Sequence, residues 1–489
     1  MGRHGGQTMS KFYITSAIPY VNAKPHIGWA TEIVEADTIA RYHKILGQDI
    51  CFLCGSDENA LKNVQAAEQV KKNVQAFVDE NAKSFETLKD ALNIDLDVFQ
   101  KGSAPTHITS SQKLWDLCKK SGDIYKKSYK GLYCVGCELF YTVEELDEKG
   151  QCFEHPGKKL EEVEEENYFF KLSKYQNHLL KLIEFNTYEI IPKYRKTEML
   201  TFINQGLQDF SVSRSNERAK DWGVPVPDDP SQRMYVWFDA LNIYQSGIGF
   251  GTDEKTYKKW WPADIHVIGK GIIRFHAIYW PAILLSAGLQ LPKKLFVHEY
   301  LTVNGQKISK SLGNAIDPIP LIKQFGTDAL RYYLLAKFSP FSDGDFSVEK
   351  LQQTYNADLA NGLGNLVARV AKLCENSNYT QMGSKEKVSP HLLDVEAYTK
   401  ALEQYKFNDA LSFVWAKITK LDQFINEEKP WELAKQGSVK LKSVLAHAVD
   451  QLQEIAVLLE PFLPQTAAKI EEQFRGPEIK SQSSLFPRI

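Results

Sequence analysis

Residues 11–54 read KFYITSAIPYVNAKPHIGWATEIVEADTIARYHKILGQDICFLC, and this stretch decides the fold. Lys11 to Ile18 is apolar and β-rich, the pattern of a buried strand, and Pro19 stops it. A loop from Tyr20 to Pro25 leads into a predicted helix over about His26–Leu46. Ile27, Ala30, Ile33, Val34, Ile39 and Ala40 recur at helical spacing; Lys44 sits in the last turn and Gly47 is the C-cap candidate. Asp49 to Cys54 is a second buried strand. Strand, helix and strand in such a short span make a βαβ unit, so the chain is predicted to be α/β, with a doubly wound, parallel, Rossmann-like sheet. Ligands of such sheets bind beyond the carboxyl ends of the strands, where His26 and Asp57 fall.

The turn Lys24-Pro25-His26-Ile27-Gly28-Trp29 suits an anion. A helix start presents unpaired N–H groups and the positive end of a dipole. His26 can donate to a phosphate whose charge rises in a transition state. Gly28 leaves room for a flat base against the backbone. His-Ile-Gly also reads as a chance tripeptide in which His26 caps a helix. Asp57, in Gly55-Ser56-Asp57-Glu58-Asn59, can bind a substrate ammonium; equally, Ser56 or Asp57 can be the N-cap of the segment that follows. Cys51 and Cys54 stand three apart in an apolar strand and point to opposite faces, so they are core thiols, not a metal pair. Far along the chain, a strand over Leu295–Val303 meets the tight-turn pair Asn304-Gly305. That turn carries Lys307, Ser309, Lys310 and Ser311, whose cations can neutralise a leaving pyrophosphate, although lysine-rich turns are also ordinary solvated turns.

At 489 residues the chain exceeds one hydrophobic core and should divide into three or four domains. A composition of 43% hydrophobic and 25% charged residues is that of a soluble globular protein. The net charge of -2 excludes an overall basic field, so any nucleic-acid contact must come from local patches. No apolar run is long enough for a membrane span, and no signal peptide is visible. Residues 1–10 (MGRHGGQTMS) read as a tag or cloning remnant with the natural start at Met9. Seven cysteines, an odd number, point to thiols or a metal site in a reducing compartment, hence to a cytoplasmic protein.

Gln65 to Asn93 is predicted as an amphipathic helix. Beyond it, Cys134-x2-Cys137-x14-Cys152-x2-His155 supplies three thiolates and an imidazole on two short knuckles. Those are the ligands of a closed, structural, tetrahedral Zn²⁺ site. The acidic run Glu161–Glu166 reads as a solvated connection. Asp221 to Pro227, stiffened by prolines, marks re-entry into the sheet domain. Met234 to Tyr244 is rich in aromatics; Trp237 and Tyr244 are core or pocket walls. Ile265 to Gly269 is a further strand. Ile272 to Leu285 reads as a buried helix interrupted at Pro281, with His276 among apolar neighbours. Phe325 to Leu334 starts a helix. From Leu351 the strand signals stop: Leu351–Cys374, Ala397–Asn426, Leu441–Leu459 and Ala467–Phe474 all show helical spacing, which predicts an all-α bundle.

With these residues in hand, the chain resembles the methionyl-tRNA synthetases, a class I group, over nearly its whole length. Lys24-Pro25-His26-Ile27-Gly28 looks like the first class signature and Lys307-Ile308-Ser309-Lys310-Ser311 like the second. Ala17 to Tyr20, Tyr235 to Ala240 and Phe275 to Pro281 are similar to segments of the methionine branch. The resemblance implies a catalytic domain over 11–118 and 226–300, a zinc-bearing connective insertion over 119–225, a lysine-signature loop and stem-contact region over 301–350, and an anticodon-binding helical bundle over 351–489. It implies ATP with Mg²⁺, L-methionine and the methionine tRNA as partners, with His26, Gly28, Lys307 and Lys310 catalytic and Ser309 and Ser311 joining them around ATP. It implies a methionine pocket of Ile18, Tyr20, Asp57, Trp237, Ala240, Tyr244, Ile272, Phe275 and His276. Aromatic walls suit a nearly apolar thioether, and Tyr20 or His276 can address its sulfur. Asn361, Asn365, Arg369 and Trp431 match the anticodon readers, Trp431 by stacking on a base, though a bundle-packing role is open to it. Two positions depart from the pattern: Trp29 replaces the second histidine of the first signature, and Gly271 replaces the carboxylate of a Gly-Lys-Asp. No further module follows the bundle, which points to a monomer.

Overall fold

The computed structural model describes residues 10–134, 139–141, 146–152, 160–308, 313–380 and 395–489. They fall into two compact units. One comprises the chain up to Pro25 with Asp49–Thr87 and Leu96–His298; the other comprises His26–Gln48, Leu88–Asp95 and the chain from Glu299 onward.

The first unit is built on six strands: β1 (Lys11–Ser16), β2 (Asp49–Ser56), β3 (Val98–Lys101), β4 (Glu189–Ile191), β5 (Ile265–Gly269) and β6 (Lys294–His298). Their order across the sheet is β3-β2-β1-β5-β6-β4, and every adjacent pair is parallel. The chain steps one way from β1 to β2 and β3, and later lays β5 on the other side of β1, so the order reverses between β1 and β5. In doubly wound sheets that reversal opens the ligand crevice. All five residues of β5 are buried, as a central parallel strand requires. Cys51 and Cys54 are buried in β2, as expected of core thiols. Burial pushes the Cys51 thiol up to about 12, which leaves it unreactive.

Four elements of this unit differ from the sequence reading. The helix predicted over 65–93 is two helices, Leu61–Gln69 and Val74–Ala91. Lys71 adopts φ 55 between them, and the Asn73 side chain accepts from Ala76 N at 3.2 Å to start the second. The acidic run is no loose connection. It opens the strand Glu161–Phe170, which pairs antiparallel with Ile124–Cys134 from Tyr133↔Glu161 to Ile124↔Phe170. The partner strand is rich in lysine, so Lys130 faces Glu164 across the ladder and like charges are kept apart. Pro281 does not interrupt a helix. It occupies the first turn of Trp280–Ser286, where its missing N–H costs nothing, and the irregularity lies before it, in a π turn over Phe275–Tyr279. Finally, the strand predicted over 295–303 divides: β6 ends at His298, and Leu301–Val303 belongs to a small sheet of the second unit with Gln306–Lys307 and Gly344–Phe346.

The second unit contains the predicted first helix, α1, over Ile27–Ile45. Its interior is organised by one buried ion pair. Arg331 Nη2 lies 2.7 Å from Asp37 Oδ2, and both side chains are fully buried. The guanidinium also donates to Phe462 O at 2.7 Å, Pro461 O at 3.1 Å and Leu92 O at 3.2 Å. Asp37 accepts in addition from Arg41 Nε at 2.7 Å and Asp95 N at 2.8 Å. Four of the five guanidinium N–H groups and both carboxylate oxygens are therefore used, the condition under which a buried ion pair is tolerated. The predicted bundle is present as Val348–Thr354, a π turn over Tyr355–Gly364, then Asn365–Asn376, Glu396–Glu403, Phe407–Glu428, Lys440–Leu459 and Pro464–Phe474. The helix predicted over 397–426 breaks at Tyr405, which adopts φ 58.

Candidate active site

At the carboxyl edge of β1 and β2 the chain keeps pairing for one more step. Tyr20 and Asp57 form a parallel bridge, and Asp57 N donates to Pro19 O at 2.8 Å. This sets Asp57 directly across the ladder from Tyr20. Asp57 is buried and is not the N-cap of the helix Leu61–Gln69: Ala60 holds that position with no side-chain cap, and Ser56 Oγ donates to Glu58. The capping alternative for Ser56 and Asp57 fails on this geometry. Lys62 Nζ stands 3.0 Å from the centre of the Tyr20 ring.

Trp237, Ala240, Tyr244 and Phe275 are buried in one apolar cluster, with Ile18, Tyr20 and Ile272 packed against it. The Trp237 and Phe275 rings stack with centroids 3.7 Å apart at 5°. Tyr20 meets Trp237 edge-on at 6.1 Å. The π turn carries Phe275 and His276 into this cluster; such wide turns concentrate at functional sites. Tyr244 Oη lies 2.8 Å from His276 Nε2, and His276 Nδ1 lies 2.9 Å from Ile272 O. A carbonyl only accepts, so Nδ1 carries the proton and Nε2 accepts from the tyrosine hydroxyl. Burial, partly offset by the bond to Ile272 O, pushes His276 down to about 4, so it is neutral. Both ring nitrogens are thereby spent. In this arrangement His276 has no N–H left to donate to a sulfur atom.

The two signature segments abut within the second unit. His26 is the N-cap of α1, and its Nδ1 accepts from Gly28 N at 3.1 Å. The capping reading of His26 is thus correct, and it serves the other reading too: with Nδ1 accepting, the proton sits on Nε2, where it can be donated to an anion. A Cβ on residue 28 would fall 2.9 Å from His26 Cε1 and 3.9 Å from Ile308 Cδ1. Glycine is required here by the histidine ring itself, before any base is considered. Ile27 N donates to Ile316 O at 3.0 Å, which ties the helix start to the chain beyond the lysine turn. Lys307 Nζ stands 5.2 Å from the centre of the Tyr300 ring, and Asn314 Nδ2 donates to Lys307 O at 3.1 Å. Ser309, Lys310 and Ser311 lie outside the described residues. Trp29 is buried in the first turn of α1, and Gly271 sits in the short helical turn Lys270–Ile272.

Of the proposed zinc ligands, Cys137 and His155 lie outside the described residues. Cys134 and Cys152, one from each knuckle, have their sulfurs 3.5 Å apart. That exceeds a disulfide bond and is close to the roughly 3.8 Å expected of two thiolates on one tetrahedral zinc at 2.3 Å each. The two described thiols are placed as a shared metal would hold them. In the bundle, Asn361, Asn365 and Arg369 follow one another at four-residue spacing, with both asparagines exposed. Arg369 is oriented by Asp422 at 2.6 Å and by Asn426 Oδ1 at 3.0 Å. Trp431 is 37% exposed, so part of its ring faces solvent.

Two supporting layers escaped the sequence reading. Thr15 Oγ1 bonds His266 Nδ1 at 2.6 Å across the β1–β5 register, and the His266 ring lies 4.5 Å from Tyr244. Burial and the neighbouring His276 hold His266 well below its ordinary pKa. Behind Trp237, Asp239 accepts from Asn59 Nδ2 at 2.6 Å and stands 3.5 Å from His107 Nε2. The signal was a polar residue inside each apolar run, which sequence alone does not pair.

The comparisons agree with this geometry. The family described as tRNA synthetases class I (M) matches residues 12–371. The methionine–tRNA ligase of Thermotoga maritima is 42% identical over 485 residues, covering 97% of this chain and 76% of that protein. The methionine–tRNA ligase of a Nostoc species is 41% identical over 493 residues, covering 97% and 92%. The solved Mycobacterium tuberculosis methionyl-tRNA synthetase in complex with methionyl-adenylate superposes with a TM-score of 0.90 at 34% identity, covering 98% of this chain and 100% of that one. A sheet reversal carrying an aromatic pocket, joined to this match over nearly the full length, means that the chain belongs to the class I tRNA synthetases, in their methionine–tRNA ligase branch.

Proposed function

We propose that the chain activates L-methionine with ATP and transfers it to the terminal adenosine of a methionine tRNA. The observation that carries this is the buried Trp237–Phe275 stack, met edge-on by Tyr20, whose bridge partner at the carboxyl edge of β1 and β2 is the buried Asp57. Asp57 binds the substrate ammonium. The side chain runs between Tyr20, Trp237, Ala240 and Phe275, with Ile18 and Ile272 closing the walls. The Tyr244–His276 pair fixes the floor by spending its own hydrogen bonds, and the Tyr20 hydroxyl addresses the sulfur. The methionine carboxylate attacks the α-phosphorus of ATP and pyrophosphate departs. His26 Nε2–H and the start of α1 stabilise the α-phosphate; Lys307 and Lys310 stabilise the pyrophosphate, with Ser309 and Ser311 in the same turn and Mg²⁺ accompanying the nucleotide. The 2′-hydroxyl of the terminal adenosine then takes the aminoacyl group. Asn361, Asn365, Arg369 and Trp431 read the anticodon.

Methionine-dependent ATP–pyrophosphate exchange tests the reading, with leucine, isoleucine and valine as comparisons. Exchange should require methionine. Asp57→Asn should lower kcat/KM for methionine roughly 10- to 100-fold, the loss of a hydrogen bond to a charged group worth about 1.5–3 kcal/mol. Exchange that ignores methionine overturns the assignment. Zn²⁺ is proposed on Cys134, Cys137, Cys152 and His155, closing the knuckle and adding folding energy rather than chemistry. Elemental analysis should return one zinc per chain, lost in Cys134→Ser; an unchanged zinc content in that variant removes the site.

A further inference from the structure

The helix Lys193–Asn204 begins with a charge arrangement that its own stability disfavours. Lys193, Arg195 and Lys196 crowd its first turn, with no acidic residue there and no side chain capping it at Pro192. Cations at a helix N-terminus oppose the dipole. Residues 171–204 hold six Lys and Arg against three Glu, in a chain of net charge -2. Arg195 is paired with Glu198 at 2.5 Å. Among the described residues, Lys196 Nζ donates to neutral oxygens, Glu184 O at 3.0 Å and Asn186 Oδ1 at 2.7 Å, which do not cancel its charge. Those bonds hold the first turn against the Glu184–Asn186 corner, where Phe185 is 77% exposed; Tyr194, on the turn itself, is 45% exposed. Cations interleaved with exposed aromatic rings are the composition of a nucleic-acid surface.

Its position selects which part of a nucleic acid. The helix opens directly at the carboxyl end of β4, which pairs parallel with β6 through Phe296↔Ile191. That is the edge of the sheet where the substrate pocket lies. The corner is also attached to the pocket: Tyr188 Oη donates to His276 O at 2.9 Å, and the Arg274 guanidinium stands 4.1 Å from the Phe202 ring. We propose that Lys193, Lys196 and the neighbouring rings of Tyr194 and Phe185 form a docking surface for the sugar–phosphate backbone at the acceptor end of the tRNA. This deepens the function proposed above and rests on it. The surface positions the strand that carries the terminal adenosine; it takes no part in adenylate formation.

The test is Lys193→Glu/Lys196→Glu in the full chain, assayed for methionine-dependent ATP–pyrophosphate exchange and for tRNA charging across a series of salt concentrations. Exchange should stay within twofold, which also certifies the fold. The KM for tRNA should rise tenfold or more. The slope of log kcat/KM for tRNA against log salt should shrink by about 1.4 to 1.8, the loss of two phosphate contacts. Lys193→Arg/Lys196→Arg should restore charging. Charging within twofold of the unaltered chain overturns the proposal and assigns the patch to some other partner. A parallel fall in both assays overturns it as well, by making the lysines structural. Absence of methionine-dependent exchange in the unaltered chain is a different failure, that of the functional reading beneath.

Discussion

At the scale of single residues, the pocket depends on a histidine that must stay neutral. His276 gives Nδ1–H to Ile272 O and takes the Tyr244 hydroxyl on Nε2, and a second proton would turn that hydroxyl round and leave a charge in a fully buried site. Its pKa is held at about 4 against an ordinary 6.5, chiefly by burial. Between those values the unfolded chain binds a proton that the folded chain refuses. Stability from this group is therefore complete above pH 6.5 and is lost as the pH falls toward 4. For one such histidine the loss between pH 7 and pH 5 is about 2 kcal/mol. His266, depressed in the same direction, adds to it. Denaturant unfolding at the two pH values should show the decline. In His276→Gln the decline should be smaller by about 2 kcal/mol, whatever the variant's absolute stability. An identical pH dependence in the two proteins would show that His276 is protonated in the folded chain.

At the scale of elements, α1 is held by Asp37 and Arg331, and the pair predicts its own asymmetry. Asp37→Leu alone strands a buried guanidinium and should cost about 3–5 kcal/mol. Asp37→Leu with Arg331→Leu removes both charges and should recover part of that loss, read as a higher thermal midpoint than the single variant. A double variant less stable than the single one would mean that the backbone oxygens of Phe462, Pro461 and Leu92 depend on the arginine more than the carboxylate does. Elements also show what sequence can and cannot reveal. The βαβ start was legible because its apolar periods change from strand to helix and back, and the bundle because strand signals stop. The break at Lys71 was not, since a left-handed lysine leaves no compositional mark. Nor was the strand Glu161–Phe170: its acidic residues are stabilised by lysines more than thirty positions earlier, a cross-strand partnership invisible to local reading. The π turn at Phe275 hid behind Pro281, the stronger local signal. Asp57 was legible as a candidate ammonium partner but equally as a cap, and only the observed helix start at Leu61 removed the capping alternative.

At the scale of the whole molecule, the residue proposed to hold the substrate ammonium and the residue proposed to stack on the anticodon fall in different compact units. Asp57 belongs to one compact unit and Trp431 to the other. Trp431→Ala should leave ATP–pyrophosphate exchange unchanged and reduce charging by the loss of one stacked base, about 1–3 kcal/mol, or roughly 5- to 150-fold in kcat/KM for tRNA. Substitutions without shared partners add within about 0.5 kcal/mol. The Asp57→Asn/Trp431→Ala chain should therefore show, in charging assays at subsaturating methionine, the product of the two single effects. A product that fails by tenfold or more would require an energetic coupling of at least 1.4 kcal/mol, and with it a two-state element that both sites bias. Equal loss of exchange and charging in Trp431→Ala alone would give a simpler answer: the exposed ring holds up the bundle, and the anticodon is read elsewhere.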